Sequence, residues 1–254
     1  MAEATTRIRK VWGEGRTALN GWLAVPSTLS VAAMAGAGWD SLTVDLQHGT
    51  ADYAQMLAML PAIEQAGVTA MVRVPWNEPS IVMRALDAGV MGVICPMIER
   101  ADDARAFVKA CLYPPLGARS FGPVRARLIY GDGYPAAANE SVLPIAMIET
   151  RAALDNLNEI AAVPGLAALY IGPSDLSSAL GFPPGFDRTE PEMLGHIKRV
   201  REAAEANGLA PCIHCGTPQY AAQMAADRFK LVTVGSDARF IEAGAKAAAA
   251  AFRG

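Results

Sequence analysis

Short apolar runs alternate with longer alanine-rich segments along most of the chain, and this alternation predicts the fold. The short runs contain mainly Val, Ile and Leu, which is typical of parallel strands that are buried on both faces. Eight strands are predicted, at residues 22–25, 42–46, 70–74, 92–96, 143–148, 167–171, 211–214 and 231–234. Helices are predicted at residues 28–35, 51–66, 79–88, 101–112, 151–162, 191–207, 218–227 and 238–252.

The number and spacing of these units predict an α/β fold, a single (β/α)8 TIM barrel that covers residues 1–254. Catalytic residues of this fold lie at the carboxyl ends of the strands. Polar residues of this chain recur there about once per βα unit. An open doubly wound sheet is the alternative, but no Gly-x-Gly-x-x-Gly follows the first predicted strand.

One segment interrupts the alternation, at residues 113–140. It is rich in Pro, Gly and Arg, which predicts a long loop. Arg119, Arg125 and Arg127 are candidates for contact with an anionic substrate or a neighbouring subunit, and they are equally typical of an ordinary solvated loop.

Composition and charge narrow the range of partners. With 52% hydrophobic residues and a mean hydropathy of +0.21, the chain can form a large core without disulfides. A net charge of −3 argues against a nucleic-acid or anionic-membrane surface and favours a small-molecule partner. Because the sequence contains neither a signal-peptide pattern nor 18 uninterrupted apolar residues, we expect a cytoplasmic protein.

The four cysteines include a Cys-x-x-Cys pair, Cys212 and Cys215, which flanks His214. Such a pair suggests zinc or redox chemistry. A zinc site needs a second pair of ligands with similar spacing, and this pair lies in a short apolar strand. We therefore expect these cysteines to be small buried side chains.

Two carboxylates mark the candidate site. Glu149 and Asp175 each close an apolar run, so each should emerge where a buried strand ends. Oxygen ligands at neighbouring strand ends predict a site for a divalent cation.

Further candidates follow the second and third strands. His48 is one of three histidines and a candidate general base, oriented by a nearby carboxylate such as Asp45. Arg73 ends an apolar run, so its guanidinium needs an anionic partner. That partner is either an oxyanion of the substrate or, in a structural ion pair, Asp45 or Glu149.

The turn after the sixth strand consists of Gly172, Pro173, Ser174 and Asp175. Free backbone amides at such a turn can hold a carboxylate. The alternative is ordinary helix capping by Ser174 or Asp175.

Together these residues resemble the HpcH/HpaI aldolase family, the metal-dependent class II pyruvate aldolases typified by 4-hydroxy-2-oxoheptanedioate aldolase. The resemblance covers nearly the whole chain and implies a barrel of the pyruvate/phosphoenolpyruvate superfamily type. It rests on seven ordered motifs, at residues 44–49 (VDLQHG), 72–77 (VRVPWN), 95–97 (CPM), 113–119 (YPPLGAR), 148–151 (IETR), 170–177 (YIGPSDLS) and 234–237 (VGSD).

The resemblance implies a lyase that reversibly cleaves a 4-hydroxy-2-oxo acid into pyruvate, or a close analogue such as hydroxypyruvate, and an aldehyde. Glu149 and Asp175 would bind Mg²⁺ or Mn²⁺, with Co²⁺ and Zn²⁺ as further candidates and no organic cofactor. Arg73 would stabilise the enolate, and Asp45 with His48 would form the acid–base dyad. The turn that begins at Gly172 would bind the pyruvate carboxylate.

Other roles follow from the same resemblance. His214 would contact the acceptor aldehyde, or it is a buried histidine bonded to a backbone carbonyl. The family also implies a homo-oligomer, commonly a hexamer, and a role in aromatic catabolism. Asp87 is a candidate to reach the dyad of a neighbouring subunit.

Two positions depart from the family pattern. Many relatives have Glu where this chain has Gln47, and several have Gln where it has Met147. The metal and enolate residues are intact, so what these departures leave open is the placement of water, the surroundings of the acceptor aldehyde and hence the natural substrate.

One alternative mechanism and two alternative functions remain. A lysine Schiff base is disfavoured because no lysine ends an apolar strand. A CoA-thioester lyase of the malyl or citramalyl type is an alternative within the superfamily. A barrel that binds a 2-oxo acid without turning it over is the other, although such a binder has no need of a base.

Overall fold

The computed structural model describes residues 6–254 and contains a closed barrel of eight parallel strands in chain order, which confirms the predicted TIM barrel. The strands are β1 (Ala18–Leu23), β2 (Ser41–Asp45), β3 (Thr69–Arg73), β4 (Gly92–Cys95), β5 (Leu143–Ile148), β6 (Ala168–Ile171), β7 (Ala210–Cys215) and β8 (Leu231–Val234). β1 pairs with both β2 and β8, so the sheet has no free edge.

One helix precedes β1, and the other helices follow the strands. They are α1 (Arg7–Gly13), α2 (Thr28–Ala35), α3 (Tyr53–Gln65), α4 (Pro79–Asp87), α5 (Ala101–Cys111), α6 (Val124–Tyr130), α7 (Tyr134–Ser141), α8 (Arg151–Asp155), α9 (Leu157–Ala161), α10 (Pro173–Ala179), α11 (Pro191–Ala206), α12 (Pro218–Ala226) and α13 (Asp237–Arg253). In the part of the chain described, no helix is both long and apolar enough to cross a membrane.

Successive side chains along each strand point alternately into two packed layers, because the side-chain period of a strand is two residues. One layer lies between strands and helices and includes Val44, Val72 and Ile148. The other fills the barrel and includes Trp22 and Met147, and α1 packs against it. Cysteines of the Cys-x-x-Cys pair are buried in different layers, which confirms that they are small core side chains.

A group of polar side chains is buried among the apolar residues that fill the barrel. The Asn20 side-chain oxygen accepts hydrogen bonds from the hydroxyls of Ser41 (2.8 Å) and Thr43 (3.0 Å). Its amide donates to Thr233 Oγ1 (2.9 Å), which also accepts from the Tyr170 hydroxyl (2.6 Å). Each buried polar group of this cluster therefore has a partner inside the barrel.

The predicted bounds of the first strand were wrong. The strand spans Ala18–Leu23 rather than residues 22–25. Asn20 and Gly21 interrupt the apolar run, so the pattern placed the strand too late. A Cβ at Gly21 would come within 2.7 Å of Leu42 Cδ2, so a larger residue there would force the packed Leu42 side chain to shift.

The prediction of a long loop at residues 113–140 is also corrected, because α6 and most of α7 lie inside it. Ala126, Tyr134 and Ala138 form a small core cluster with Met91 and Tyr113. Burial of these few side chains stabilises two helices that composition alone does not predict.

The three arginines of this segment form ion pairs within the chain. Arg119 is buried and donates to Asp87 (2.6 Å), and Arg125 donates to Glu64 (2.8 Å). Arg127 pairs with Asp132. None of the three lines the cavity described below.

Candidate active site

A cavity of about 270 Å³ opens at the carboxyl ends of the strands and contains every residue predicted for the site. These residues are Asp45, His48, Arg73, Glu149, Gly172, Pro173, Ser174, Asp175 and His214. They come from distant parts of the sequence because β2, β3, β5, β6 and β7 all end at the same rim.

Glu149 follows β5 on the side of the strand that faces the barrel interior, and it is only 1% exposed. Its Oε1 accepts a hydrogen bond from the backbone N–H of Met97 (2.9 Å), while its buried Oε2 has no partner among the described residues. Met97 has a φ of 56°, a left-handed conformation that is unusual for methionine. Burial raises the pKa of Glu149 to about 7, and the Asp175 charge adds to this rise.

Asp175 lies in the first turn of α10, where its side chain is exposed to the cavity. The first intrahelical bond of α10 runs from Leu176 to Gly172, so the N–H groups of Ser174 and Asp175 remain available. A side chain at Gly172 would lie 2.4 Å from Glu149 Oε2. A larger residue at position 172 would therefore displace this carboxylate oxygen, so glycine leaves room for the Glu149 side chain in this corner of the cavity.

The donor set fits a hard divalent cation. A buried carboxylate oxygen without a partner, beside a second carboxylate, is a costly arrangement that a cation would relieve. Across residues 6–254, no group of three or more His, Cys, Asp or Glu side chains is placed to hold a metal ion. A cation held by Glu149 and Asp175 would thus keep positions for water or substrate, as Mg²⁺ commonly does.

Arg73 and Asp45 form a bidentate ion pair at the ends of β3 and β2. Arg73 Nε donates to Asp45 Oδ1 (2.9 Å), and Nη2 donates to Oδ2 (2.6 Å). Burial alone would raise the pKa of Asp45, but the hydrogen bonds and charge of Arg73 outweigh it and hold that pKa below its usual value. The pairing with Asp45 that the sequence left open is present. Nη1 of Arg73 has no hydrogen bond within the described chain, so it remains free to contact a ligand.

His48 lies at the cavity wall but is not paired with Asp45 through its side chain. Asp45 Oδ1 accepts from the backbone N–H groups of Gln47 (3.0 Å) and His48 (3.3 Å). β2 ends at Asp45 and the chain then bends, so strand alternation no longer sets the direction of residue 48. The imidazole is exposed and forms no hydrogen bond with any residue of the described range.

His214 is bonded to a side chain rather than to a backbone carbonyl. Its Nδ1 lies 3.2 Å from the Tyr170 hydroxyl, at the end of the polar cluster in the barrel. The ring of Phe186 stacks on it with centroids 4.8 Å apart. Burial lowers the pKa of His214 to about 3, and the charges of Arg73 and Arg239 contribute, so the ring is neutral near pH 7.

The sequence missed several residues of the cavity wall. Trp22 donates from Nε1 to Asp45 Oδ2 (3.1 Å), and the Arg73 guanidinium lies 4.9 Å from its ring centroid. Trp22 lies on β1, and the late placement of that strand hid its position at the rim. Phe186 lies in the connection after α10 and Arg239 lies inside α13, so neither closes an apolar run and no sequence signal marked them.

Contact of Asp87 with a neighbouring subunit stays a prediction. Within the chain, Asp87 binds Arg119, which lies over the ring of Tyr113 at 4.4 Å from its centroid. The Asp87 side chain remains 28% exposed, so it keeps a surface for other contacts.

Comparison with known proteins gives consistent matches over nearly the full length. The family model for HpcH/HpaI aldolase/citrate lyase matches residues 20–243. A hydroxypyruvate/pyruvate aldolase of Rhizorhabdus wittichii is 43% identical over 240 residues, which is 94% of this chain and 96% of that protein. A 4-hydroxy-2-oxo-heptane-1,7-dioate aldolase of Klebsiella pneumoniae is 34% identical, over 94% of this chain and 90% of that protein.

A solved structure agrees with these matches. The crystal structure of a HpcH/HpaI aldolase/citrate lyase family protein from Burkholderia cenocepacia superposes with a TM-score of 0.87 at 32% identity. The superposition covers 94% of this chain and 95% of that one.

Proposed function

Because this chain belongs to the HpcH/HpaI aldolase/citrate lyase family, and is thus a carbon–carbon lyase, we propose a specific reaction for it. It is a divalent-metal-dependent aldolase that reversibly cleaves a 4-hydroxy-2-oxo acid to an aldehyde and pyruvate or a close analogue such as hydroxypyruvate. The unpartnered, buried Oε2 of Glu149, in one small cavity with Asp175 and Arg73, carries the proposal. The names of the relatives from Rhizorhabdus and Klebsiella support the substrate class.

Glu149 and Asp175 would hold the cation in this proposal. A bound divalent cation would act as a Lewis acid that polarises the 2-oxo group and stabilises the negative charge that develops on cleavage. An all-oxygen protein ligand set favours Mg²⁺ or Mn²⁺, with Co²⁺ and Zn²⁺ as further candidates to test. No organic cofactor is part of the proposal.

The other residues bind and orient the substrate. The free N–H groups at Ser174 and Asp175 would bind the carboxylate of the 2-oxo acid. Arg73 Nη1 would donate to the oxygen on which negative charge develops, while the bidentate contact with Asp45 holds the guanidinium in place. Fixed donors of this kind stabilise charge without reorganising during the reaction.

Proton transfer is assigned to His48 in this scheme. Its exposed imidazole lines the cavity, free of hydrogen bonds to other described residues, and would take the proton from the 4-hydroxyl group of the substrate. Asp45 would position His48 through the backbone N–H that it accepts rather than through the imidazole. His214, neutral and facing the cavity, would contact the acceptor aldehyde.

The alternatives have less support. The CoA-thioester lyase alternative rests on the citrate lyase part of the family description and on no separate feature of the cavity. A non-catalytic 2-oxo-acid binder would not need His48, Arg73 and the two carboxylates in one cavity.

We also propose a homo-oligomer, with a hexamer as the expected form. α13 has 17 residues, of which only Asp237 is buried, and Ile241 (59% exposed) and Phe252 (93% exposed) lie on its surface. A helix that exposes large apolar side chains and buries so little is typical of an element that packs against another subunit. Four free, buried cysteines support a cytoplasmic location, and the family resemblance supports a role in aromatic catabolism.

Deuterium exchange of the pyruvate methyl group, followed by NMR, tests the function. The protein is stripped with a chelator and then supplied with Mg²⁺, Mn²⁺, Co²⁺ or Zn²⁺. The proposal predicts exchange that requires metal and is lost in Glu149→Ala. Equal exchange in the metal-free protein, or none with any metal, would refute it.

A further inference from the structure

Arg239 is a second arginine that lines the active-site cavity, and unlike Arg73 it forms no ion pair in the described chain. Its side chain lines the cavity yet is exposed, so it lies at the cavity mouth. The guanidinium lies over the ring of Phe186, 4.7 Å from the centroid, and Phe186 in turn stacks on His214. The three side chains form a continuous wall from the end of β7 to the solvent.

The carboxylates around Arg239 are already engaged by other groups. Asp237 accepts from the backbone N–H of Ala24 (2.8 Å) and from the Ser30 hydroxyl (2.8 Å). Asp187 accepts from the N–H of Gly216 (2.6 Å), and Glu242 pairs with Lys246 (2.5 Å). In the described chain, Arg239 consequently has no ion-pair partner, although its guanidinium can form five hydrogen bonds.

The position of Arg239 is set by the start of α13. Ser236 caps this helix by accepting from the Arg239 N–H (3.4 Å). Asp237 is 2% exposed and ties the same turn to the end of β1. The backbone that carries Arg239 is therefore fixed relative to the barrel rim, and the stacking on Phe186 limits its side chain.

The two arginines of the cavity differ in their pairing. Arg73 is held by its bidentate contact with Asp45, in the same cavity as Glu149 and Asp175. The Arg239 guanidinium has no hydrogen bond or ion pair of its own in the described chain; the exposed Glu242 nearby is bonded to Lys246, which lowers the pKa of Glu242, and the charge of Arg239 contributes to a smaller degree. Planar guanidinium groups bind carboxylate, phosphate and sulfonate groups through paired hydrogen bonds.

We propose that Arg239 is a specificity-determining residue that binds an anionic group on the acceptor aldehyde, remote from the reacting carbonyl. This inference rests on the proposed aldolase function and adds the class of acceptor: aldehydes with a terminal carboxylate or phosphate. The anion would lie at the mouth of the cavity while the aldehyde carbon faces Arg73 and His48.

The test compares matched aldehydes in the aldol direction, with pyruvate and the preferred metal. The pairs are 4-oxobutanoate against butanal for a carboxylate, and glyceraldehyde 3-phosphate against glyceraldehyde for a phosphate. In Arg239→Gln, kcat/KM for the anionic member should fall about 10- to 100-fold, the effect of one lost charge-assisted hydrogen bond, and the neutral member should change less than about twofold. The pair with the larger loss identifies the type of anion.

Further substitutions of Arg239 separate the effect of its charge from an effect on the structure. Arg239→Lys should retain most of the preference, and Arg239→Glu should lower activity with anionic aldehydes further than Arg239→Gln does. Arg253→Gln is the matched control at the exposed far end of the same helix, and it should leave both ratios unchanged. Gel filtration of each variant reports whether assembly is altered.

Pyruvate proton exchange needs no acceptor, so it distinguishes a failure of the Arg239 inference from a failure of the proposed aldolase function. Normal exchange in Arg239→Gln with a selective loss for anionic aldehydes supports the inference. Equal losses for charged and neutral aldehydes, or a changed oligomeric state with no change in selectivity, would overturn it while the aldolase proposal stands. Absence of exchange in the wild type with every metal would overturn both.

Discussion

Glu149→Gln should stabilise the metal-free protein above neutral pH, although it removes a residue essential to the proposed function. Burial raises the pKa of Glu149 from the ordinary value of 4.5 to about 7. Because the folded protein holds this proton more tightly than the unfolded chain does, stability is fully present below about pH 4.5 and falls as pH rises through about 7.

The size of this loss follows from the two pKa values. One pKa unit corresponds to about 1.36 kcal/mol, so ionised Glu149 costs the metal-free fold roughly 3 kcal/mol. Gln is neutral at every pH and its side-chain oxygen can still accept from the Met97 N–H. We therefore expect the variant to exceed the wild type by roughly 3 kcal/mol near about pH 8.5 and to match it near about pH 4.5.

Urea unfolding of chelator-treated proteins across this pH range measures the difference directly. Addition of Mg²⁺ or Mn²⁺ then provides the second half of the test. At about a hundredfold excess over Kd, the wild type should gain about 2.7 kcal/mol, and Glu149→Gln should gain none. If the free energies of unfolding of the two proteins changed with pH in parallel, the buried charge would carry no such cost. If metal addition raised both free energies of unfolding equally, Glu149 would not be a metal ligand.

Three further changes test the rest of the site. Arg73→Ala should slow metal-dependent exchange of pyruvate protons by about 10²–10³-fold while Mg²⁺ still raises Tm, and unchanged exchange by NMR would rule out its role at the developing charge. Asp45→Asn should lower the free energy of unfolding by about 3 kcal/mol because it leaves the buried guanidinium unpaired, and urea titration would contradict this if the cost were below about 0.5 kcal/mol. Gly172→Ala should abolish stabilisation by metal, because its Cβ would lie 2.4 Å from Glu149 Oε2, while the circular dichroism spectrum should stay native. If calorimetry showed that the variant keeps its metal affinity, Oε2 would not be a ligand in the predicted position.

The sequence predicted the barrel, and it predicted which polar residues lie at the strand ends that line the cavity; their roles stay predictions. Parallel strands buried on two faces give clear apolar runs, and a polar residue that closes such a run must lie at the rim. Asp45, Arg73 and Glu149 were found in this way. The bounds of a strand were predicted less accurately where a polar residue interrupts its apolar run, as Asn20 does in β1.

What the sequence could not predict depends on tertiary contacts. The direction of Asp45, toward Arg73 instead of the His48 imidazole, depends on the bend that follows β2. Phe186 lies in the connection after α10, and the hydrogen bonds of the adjacent Asp187 to Gly216 and Thr217 fix that connection beside β7. Such long-range contacts leave no periodic trace in the sequence.

The polar cluster inside the barrel has a consequence for folding fidelity. Strands that are apolar on both faces specify their register poorly by hydrophobic pattern alone, and a slip of one residue exchanges the two faces. Such a slip of β1 would turn Asn20 toward the apolar layer beneath the helices and break its bonds to Ser41, Thr43 and Thr233. The buried asparagine thus penalises misaligned barrels, and replacing it with an apolar residue should yield a protein that closes in more than one alignment.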